Sequence, residues 1–180
     1  MADPGLGGPR VRLRPWAPAD AGALAAAWAD DQIVAHTRVP PEPTVATAAT
    51  WIAGWAVRAD RGLALDLVVT GSGPDGGDEV WGEVGLGPID WTRRAAEVGY
   101  WVAAGRRGGG VASEAVGLLT DWALGTLPLQ VLVARVPPDH RASWRVLERA
   151  GFERRRALQS GSDLWARAAA DTASGDIRTR

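Results

Sequence analysis

The chain has 180 residues, 46% of them hydrophobic and 23% charged, the composition of one compact domain able to bury its own core. Its formal net charge is -1, so no overall basic field draws nucleic acid or an anionic membrane surface. It has no cysteine and only two histidines, His36 and His140, which excludes disulfides, thiolate metal sites, a cysteine nucleophile and a multi-histidine zinc site.

No apolar run approaches the roughly 20 residues that span a bilayer. The opening Met1-Ala2-Asp3-Pro4-Gly5 lacks a basic segment followed by an apolar one, so a cytoplasmic location is expected. All 20 basic residues are arginine, a bias of composition rather than a functional signal. The chain has 10 tryptophans against one tyrosine and one phenylalanine. Most are expected in core positions; the alternative is that some of Trp16, Trp28, Trp51, Trp55 and Trp91 line a substrate pocket.

Residues 1–9, rich in Gly and Pro, and 168–180, small and polar apart from Ile177, are expected to fray around a single domain over 10–167. Val11-Arg12-Leu13-Arg14 alternates as a strand does. Pro18-Ala19-Asp20 then opens an alanine-rich helix towards Trp28, ended by Asp30-Asp31. After Pro40-Pro41-Glu42-Pro43, Thr44 is the N-cap candidate of a helix carrying Trp51, Ile52, Trp55 and Val57. Strands are expected over 63–70, 80–86 and 95–102, joined by turns over 71–77 and 88–94. The period then changes: Val111, Ala115, Leu118, Leu119 and Trp122 form one helical stripe. Val131, Val133 and Val136 make a strand, Ala142 to Ala150 a short helix closed by Gly151, and the last strands lie around Phe152 and in Asp163-Leu164-Trp165.

The stretch richest in chemistry is the run Arg106-Arg107-Gly108-Gly109-Gly110 between a strand and a helix beginning near Val111. Successive amides at such a turn form an anion-binding concavity, and the helix N-terminus adds about half a positive charge. A phosphate or pyrophosphate fits; a plain flexible connection is the alternative. Neither a G-x-G-x-x-G run nor the Lys-Ser/Thr ending of a P-loop is present.

Here the chain resembles the GNAT superfamily of acyl-CoA-dependent N-acyltransferases, whose signature Gln/Arg-x-x-Gly-x-Gly/Ala is matched by Arg107-Gly108-Gly109-Gly110-Val111-Ala112. Three further segments, 10–16 followed by Asp20, then 97–102, then 142–152, resemble the branch that acetylates ribosomal-protein N-termini. The resemblance implies an α+β fold, a mixed and mostly antiparallel sheet flanked by helices and splayed between the strands at 95–102 and 129–136. Acetyl-CoA would be the co-substrate, with no metal, and an amine the acceptor, on a peptide N-terminus or a small molecule. Neither nucleic acid nor membrane would be a partner, and a homodimer is compatible with the resemblance. The pantetheine arm would run along Tyr100, Trp101 and Val102, and the pyrophosphate would meet amides from Gly108 to Ser113, with Arg107 and Arg106 near the phosphates. The family's usual Asn-x-x-Ser is here His140-Arg141-Ala142-Ser143, so His140 either replaces the asparagine at the cofactor or is exposed and inert.

Amines are mostly protonated near pH 7, so the transfer requires a base. Glu97 is the first candidate, the alternative being a sheet-edge carboxylate paired with an arginine; Glu83 on the preceding strand is the second. The family's usual acid tyrosine is here Leu147. In the branch this chain resembles, Ser143 would hydrogen-bond the departing thiolate, or else simply cap its helix. Two other classes remain: a CoA-binding module without turnover, and a nucleic-acid or phosphopeptide binder using Arg154-Arg155-Arg156, which the near-neutral charge opposes. Asp30 and Asp31 are candidates to attract a cationic amine, or are merely solvated.

Overall fold

Strands β1 (Arg12–Arg14), β2 (Leu65–Ser72), β3 (Asp78–Asp90), β4 (Ala95–Val102), β5 (Val131–Val136), β6 (Glu153–Ala157) and β7 (Asp163–Ala168) form one sheet. A computed structural model describes residues 5–73 and 75–170. The spatial order is β1-β2-β3-β4-β5-β7-β6. Every neighbouring pair is antiparallel except β4 and β5, which run parallel through a crossover. This mixed sheet, flanked by helices, is the expected fold class.

The pleat separates two cores. On β2, Leu65, Leu67 and Val69 face a cluster with Val98 of β4 and Leu132 of β5, covered by helix α5 (Val111–Thr126) and by Leu147 of α6 (Arg141–Arg149). Val68 points the other way, with Trp101, towards Trp16, Leu24, Trp28 and Ile52. Those belong to the first third of the chain, with helices α1 (Ala21–Trp28), α2 (Asp31–His36), α3 (Val45–Ala53) and α4 (Trp55–Asp60). Leu67, Val84, Leu119 and Leu132 are fully buried. Each such side chain contributes about 1.5–3 kcal/mol.

Differences from expectation have local causes. Asp30 does more than end α1: its side chain accepts from the amides of Gln32 and Ile33 and so starts α2. Thr44 caps α3 through the Thr47 amide, and Gly54 divides the expected single helix into α3 and α4. β3 continues beyond Leu86, past a register shift before Ile89, as far as Asp90. Leu6 packs on the core and Gly7 bridges Arg12, so residues 5–9 fold back on β1. Residues 1–4 and 171–180, part of the ends expected to fray, lie outside the described residues.

β4 and β5 pair only at Ala95↔Val131, Ala96↔Leu132 and Glu97↔Val133. Beyond Glu97 they part, leaving one backbone edge of Val98–Val102 unpaired in a gap.

Candidate active site

On β4 the pleat sends Ala96 and Val98 into the core under α5 and sends Glu97, Gly99 and Trp101 to the opposite face. In the β3–β4 register Glu83 lies opposite Trp101, and Gly85 opposite Gly99. In the β2–β3 register Asp66 lies opposite Gly85, and Val68 opposite Glu83. Two glycines thus leave the middle of this face bare. A Cβ on Gly99 would meet nothing within 4 Å, because it would point into a cavity of about 650 Å3. Trp28, Trp51 and Trp101 form indole walls, Asp66, Glu83 and Glu97 the acidic part, and His36, Arg38 and Arg135 the rim. Trp51 meets the rings of Trp28 and Trp16 edge to face, at 6.2 Å and 6.0 Å between centroids.

The three carboxyls differ. Glu97 is ion-paired with Arg135 of β5, where the two strands begin to part. Asp66 lies 3.4 Å from Arg58, whose guanidinium sits 4.3 Å above the Trp51 ring. Burial raises the Asp66 pKa, and Arg58 offsets part of the rise. Glu83 has no ion pair among the described residues. It lines the cavity half-buried, and its pKa is pushed up to about 8, first by burial and then by the Asp66 charge. The Trp101 and Trp16 indoles and Arg58 oppose that rise.

A second cavity, of about 380 Å3, opens between the glycine loop and α6. Gly108 and Gly110 take φ of +79° and +84°, a region that suits residues without a Cβ. No side chain caps α5 at Gly110, and the first bond of the helix runs from Glu114 N to Gly110 O at 3.0 Å. The amides of Val111, Ala112 and Ser113 therefore remain open. The loop is braced from behind: Arg10 donates to Gly109 O at 3.0 Å and to Glu114, which also accepts the Arg10 and Val11 amides. Arg107 donates to Val102 O and, at 2.8 Å, to Asp30, tying the loop to the start of α2. Arg106 pairs with Glu79 and stacks on Trp81. Arg145 and Arg149 from α6 line the same cavity with no ion pair among the described residues. Open amides with two unpaired guanidiniums suit a pyrophosphate and a further phosphate.

Of the residues expected at a cofactor, Val102, Arg107, Gly108, Gly110, Val111, Ala112 and Ser113 gather here, with Gly109 turned back to Arg10. Tyr100 and Trp101 line the first cavity instead, and His140 lines neither. His140 is half-buried rather than exposed: it stacks on His36 at 4.1 Å, and burial followed by the His36 charge lowers its pKa. His140 also holds the N-cap position of α6, without a capping bond, so Ser143 is not the cap. Ser143 is buried in the first turn, where its carbonyl accepts from the Tyr100 hydroxyl at 3.4 Å. Burial pushes that hydroxyl up to about 12. Tyr100 thus links the first cavity to α6, while Ser143 itself lines neither cavity. Sequence reasoning missed Asp66, Arg58, Arg135, Arg145 and Arg149; the spacing of the last pair, one turn apart on one helix face, was the available signal. Among the described residues no group of three or more His, Asp or Glu side chains could hold a metal ion, and no helix is long and apolar enough to cross a membrane.

A splayed mixed sheet with an anion cradle at one helix N-terminus and a second cavity across the gap is the arrangement expected of an acyl-CoA-dependent acyltransferase. The match of residues 10–153 to the acetyltransferase (GNAT) domain model places the chain in that family. It is 29% identical over 152 residues to the uncharacterized N-acetyltransferase p20 of Bacillus licheniformis, covering 83% of each chain. Among solved structures it is similar to Mycobacterium smegmatis RimJ in complex with CoA-disulfide, at 26% identity and a TM-score of 0.78, covering 91% of this chain and 84% of that one. The Vibrio cholerae spermidine N-acetyltransferase bound to CoA and spermine shares the fold at 16% identity and a TM-score of 0.75, covering 90% and 97%.

Proposed function

We propose that the protein transfers an acetyl group from acetyl-CoA to the α-amine of a peptide N-terminus, acting in the cytoplasm. The observation that carries this reading is the pairing of a phosphate-suited cradle with a cavity whose one carboxyl free of an ion pair is Glu83. The loop amides with Arg145 and Arg149 would hold the phosphates of acetyl-CoA, which supplies an activated acetyl thioester. Ser143, in the first turn of α6 beside the gap, donates a hydrogen bond to the departing sulfur. Glu83 takes the amine proton.

Its lack of an ion pair among the described residues favours Glu83 over Glu97 for that task. A carboxyl raised to about 8 matches an α-ammonium near 8, so the proton moves between them at little cost. An ordinary carboxylate would face a deficit of about 5 kcal/mol. A lysine-like ammonium near 10.4 holds its proton more tightly than an α-ammonium near 8, which favours the α-amine. Glu97 is instead neutralised by Arg135.

The test follows free thiol released from acetyl-CoA with alanyl and seryl peptides, spermidine and an aminoglycoside. Peptides are expected to react best. Glu83→Gln should lower kcat/KM at pH 7 by roughly two to four orders of magnitude, recovering towards pH 10 as the amine deprotonates unaided. Should Glu97→Gln show that profile while Glu83→Gln does not, the base is Glu97. Absence of thiol release with every amine would leave a CoA-binding module.

A further inference from the structure

Resting on the assignment of Glu83, we propose that Asp66 and Arg58 are positioning residues that leave the cavity floor one positive charge short, a charge the acceptor amine supplies by binding as its ammonium ion. Asp66 and Glu83 are diagonal neighbours on one face of adjacent strands, a spacing at which long side chains meet. The Asp66 carboxylate leans over bare backbone: a Cβ on Gly85 would lie 2.9 Å from its Oδ1. Among the described residues Arg58 is the one cation paired to this floor, held by Trp51 beneath it and by the Trp51 carbonyl at 3.2 Å. Two carboxyls against one guanidinium balance only with one more positive charge. Behind them Trp16, itself nine-tenths buried, keeps an Nε1–H without a hydrogen bond of normal geometry, yet near enough to the Glu83 carboxyl to stabilise its charged form. That donor suits a carboxylate present in the filled site.

The remaining charges facing Glu83 do not alter this balance. Glu97 of β4 is neutralised by Arg135 of β5. His36 of α2 and Arg38 beyond it stand at the cavity rim, with His36 stacked on His140. α1 and α3 bring the indoles of Trp28 and Trp51 and no charged side chain. With Glu83 protonated the empty floor is neutral. When an ammonium enters, the carboxyl proton leaves to solvent and an ion pair replaces it; moving one proton within that pair then yields the neutral amine beside a protonated Glu83. A neutral amine lacks this exchange, so the site takes a cationic acceptor with a small or apolar body that fits between the indoles.

The experiment follows the Glu83 carboxyl by NMR in protein labelled with 13C at glutamate Cδ, its resonance identified by loss in Glu83→Gln, with no acceptor present. Asp66→Asn should lower the pH at which Glu83 titrates by about one pH unit or more, and Arg58→Gln should raise it. Opposite shifts would not follow from a general loosening of the fold, and the second variant stands if the first does not fold. Calorimetry with alaninamide at pH 7, in two buffers of different ionisation enthalpy, should find nearly one proton released per amine bound by the wild type and much less by Asp66→Asn. A Glu83 titration unmoved in both variants overturns the proposal even if Glu83→Gln is inactive. Full activity in Glu83→Gln would overturn the base assignment itself.

Discussion

Glu83→Gln should make the folded protein more stable at neutral pH, although it removes the proposed base. Burial and the Asp66 charge push the carboxyl up to about 8 in the folded chain, against an ordinary value of 4.5. Below the lower value both folded and unfolded chains hold the proton, and glutamine gains nothing. Between the two values the unfolded chain releases the proton and the folded chain keeps it, so the wild type loses about 1.4 kcal/mol of stability per pH unit. At pH 7 the loss reaches about 3 kcal/mol, and above pH 8 it levels off. Glutamine keeps the shape and does not titrate, so the difference between the two proteins isolates this residue. Urea unfolding of both from pH 4 to 9 measures it, and the variant should melt roughly 6–12 °C higher at pH 7. A stability difference that is flat across that range would refute the account of Glu83 as desolvated and unpaired.

Gly110→Glu should weaken acetyl-CoA binding in calorimetric titration while the fold survives, because a Cβ there lies 3.4 Å from the Arg10 guanidinium, so the carboxylate would draw Arg10 off Gly109 O and shift the open amides; the φ of +84° adds about 1 kcal/mol of strain. Gly99→Val should leave stability nearly unchanged, since its Cβ points into open space, yet raise KM for the amine several-fold without changing CoA affinity. Ser143→Ala should lower kcat by a similar factor from pH 7 to 10, unlike the base variant, because a bond to the leaving sulfur does not depend on the amine's protonation. Leu132→Ala, fully buried on β5, should cost about 2–5 kcal/mol in chemical unfolding.

Where hydrophobic period and turn residues agree, the sequence read true. β4 and β5 have their expected bounds, α5 starts at Val111, and the loop before it gathers the open amides. Asp30 shows the limit of such reading, since an acid that ends one helix can also cap the next. Asp66 was hidden because an acid alternating with Leu65 and Leu67 looks solvent-facing; three helices from a distant segment cover that face and turn it inward. The Glu97–Arg135 pair depends on a parallel crossover whose register no local pattern encodes. The tryptophans divided: Trp16 and Trp165 are core, Trp28 and Trp51 are core and cavity wall at once, and Trp91 is exposed, donating to Gly62 O.

The short seam between β4 and β5 also orders the chain in time. β2, β3 and β4 are sequence neighbours joined by turns, so their ladders close small loops and lose little chain entropy in forming. β6 and β7 likewise form a hairpin. The seam closes only after the chain has run the length of α5, and it is rewarded by three residue pairs. The β1–β2 seam is as short and closes a still longer stretch of chain, so these two seams are the costliest parts of the sheet to assemble and the readiest to loosen, and amide exchange at Val131 and Val133 should outpace exchange in the centre of β3.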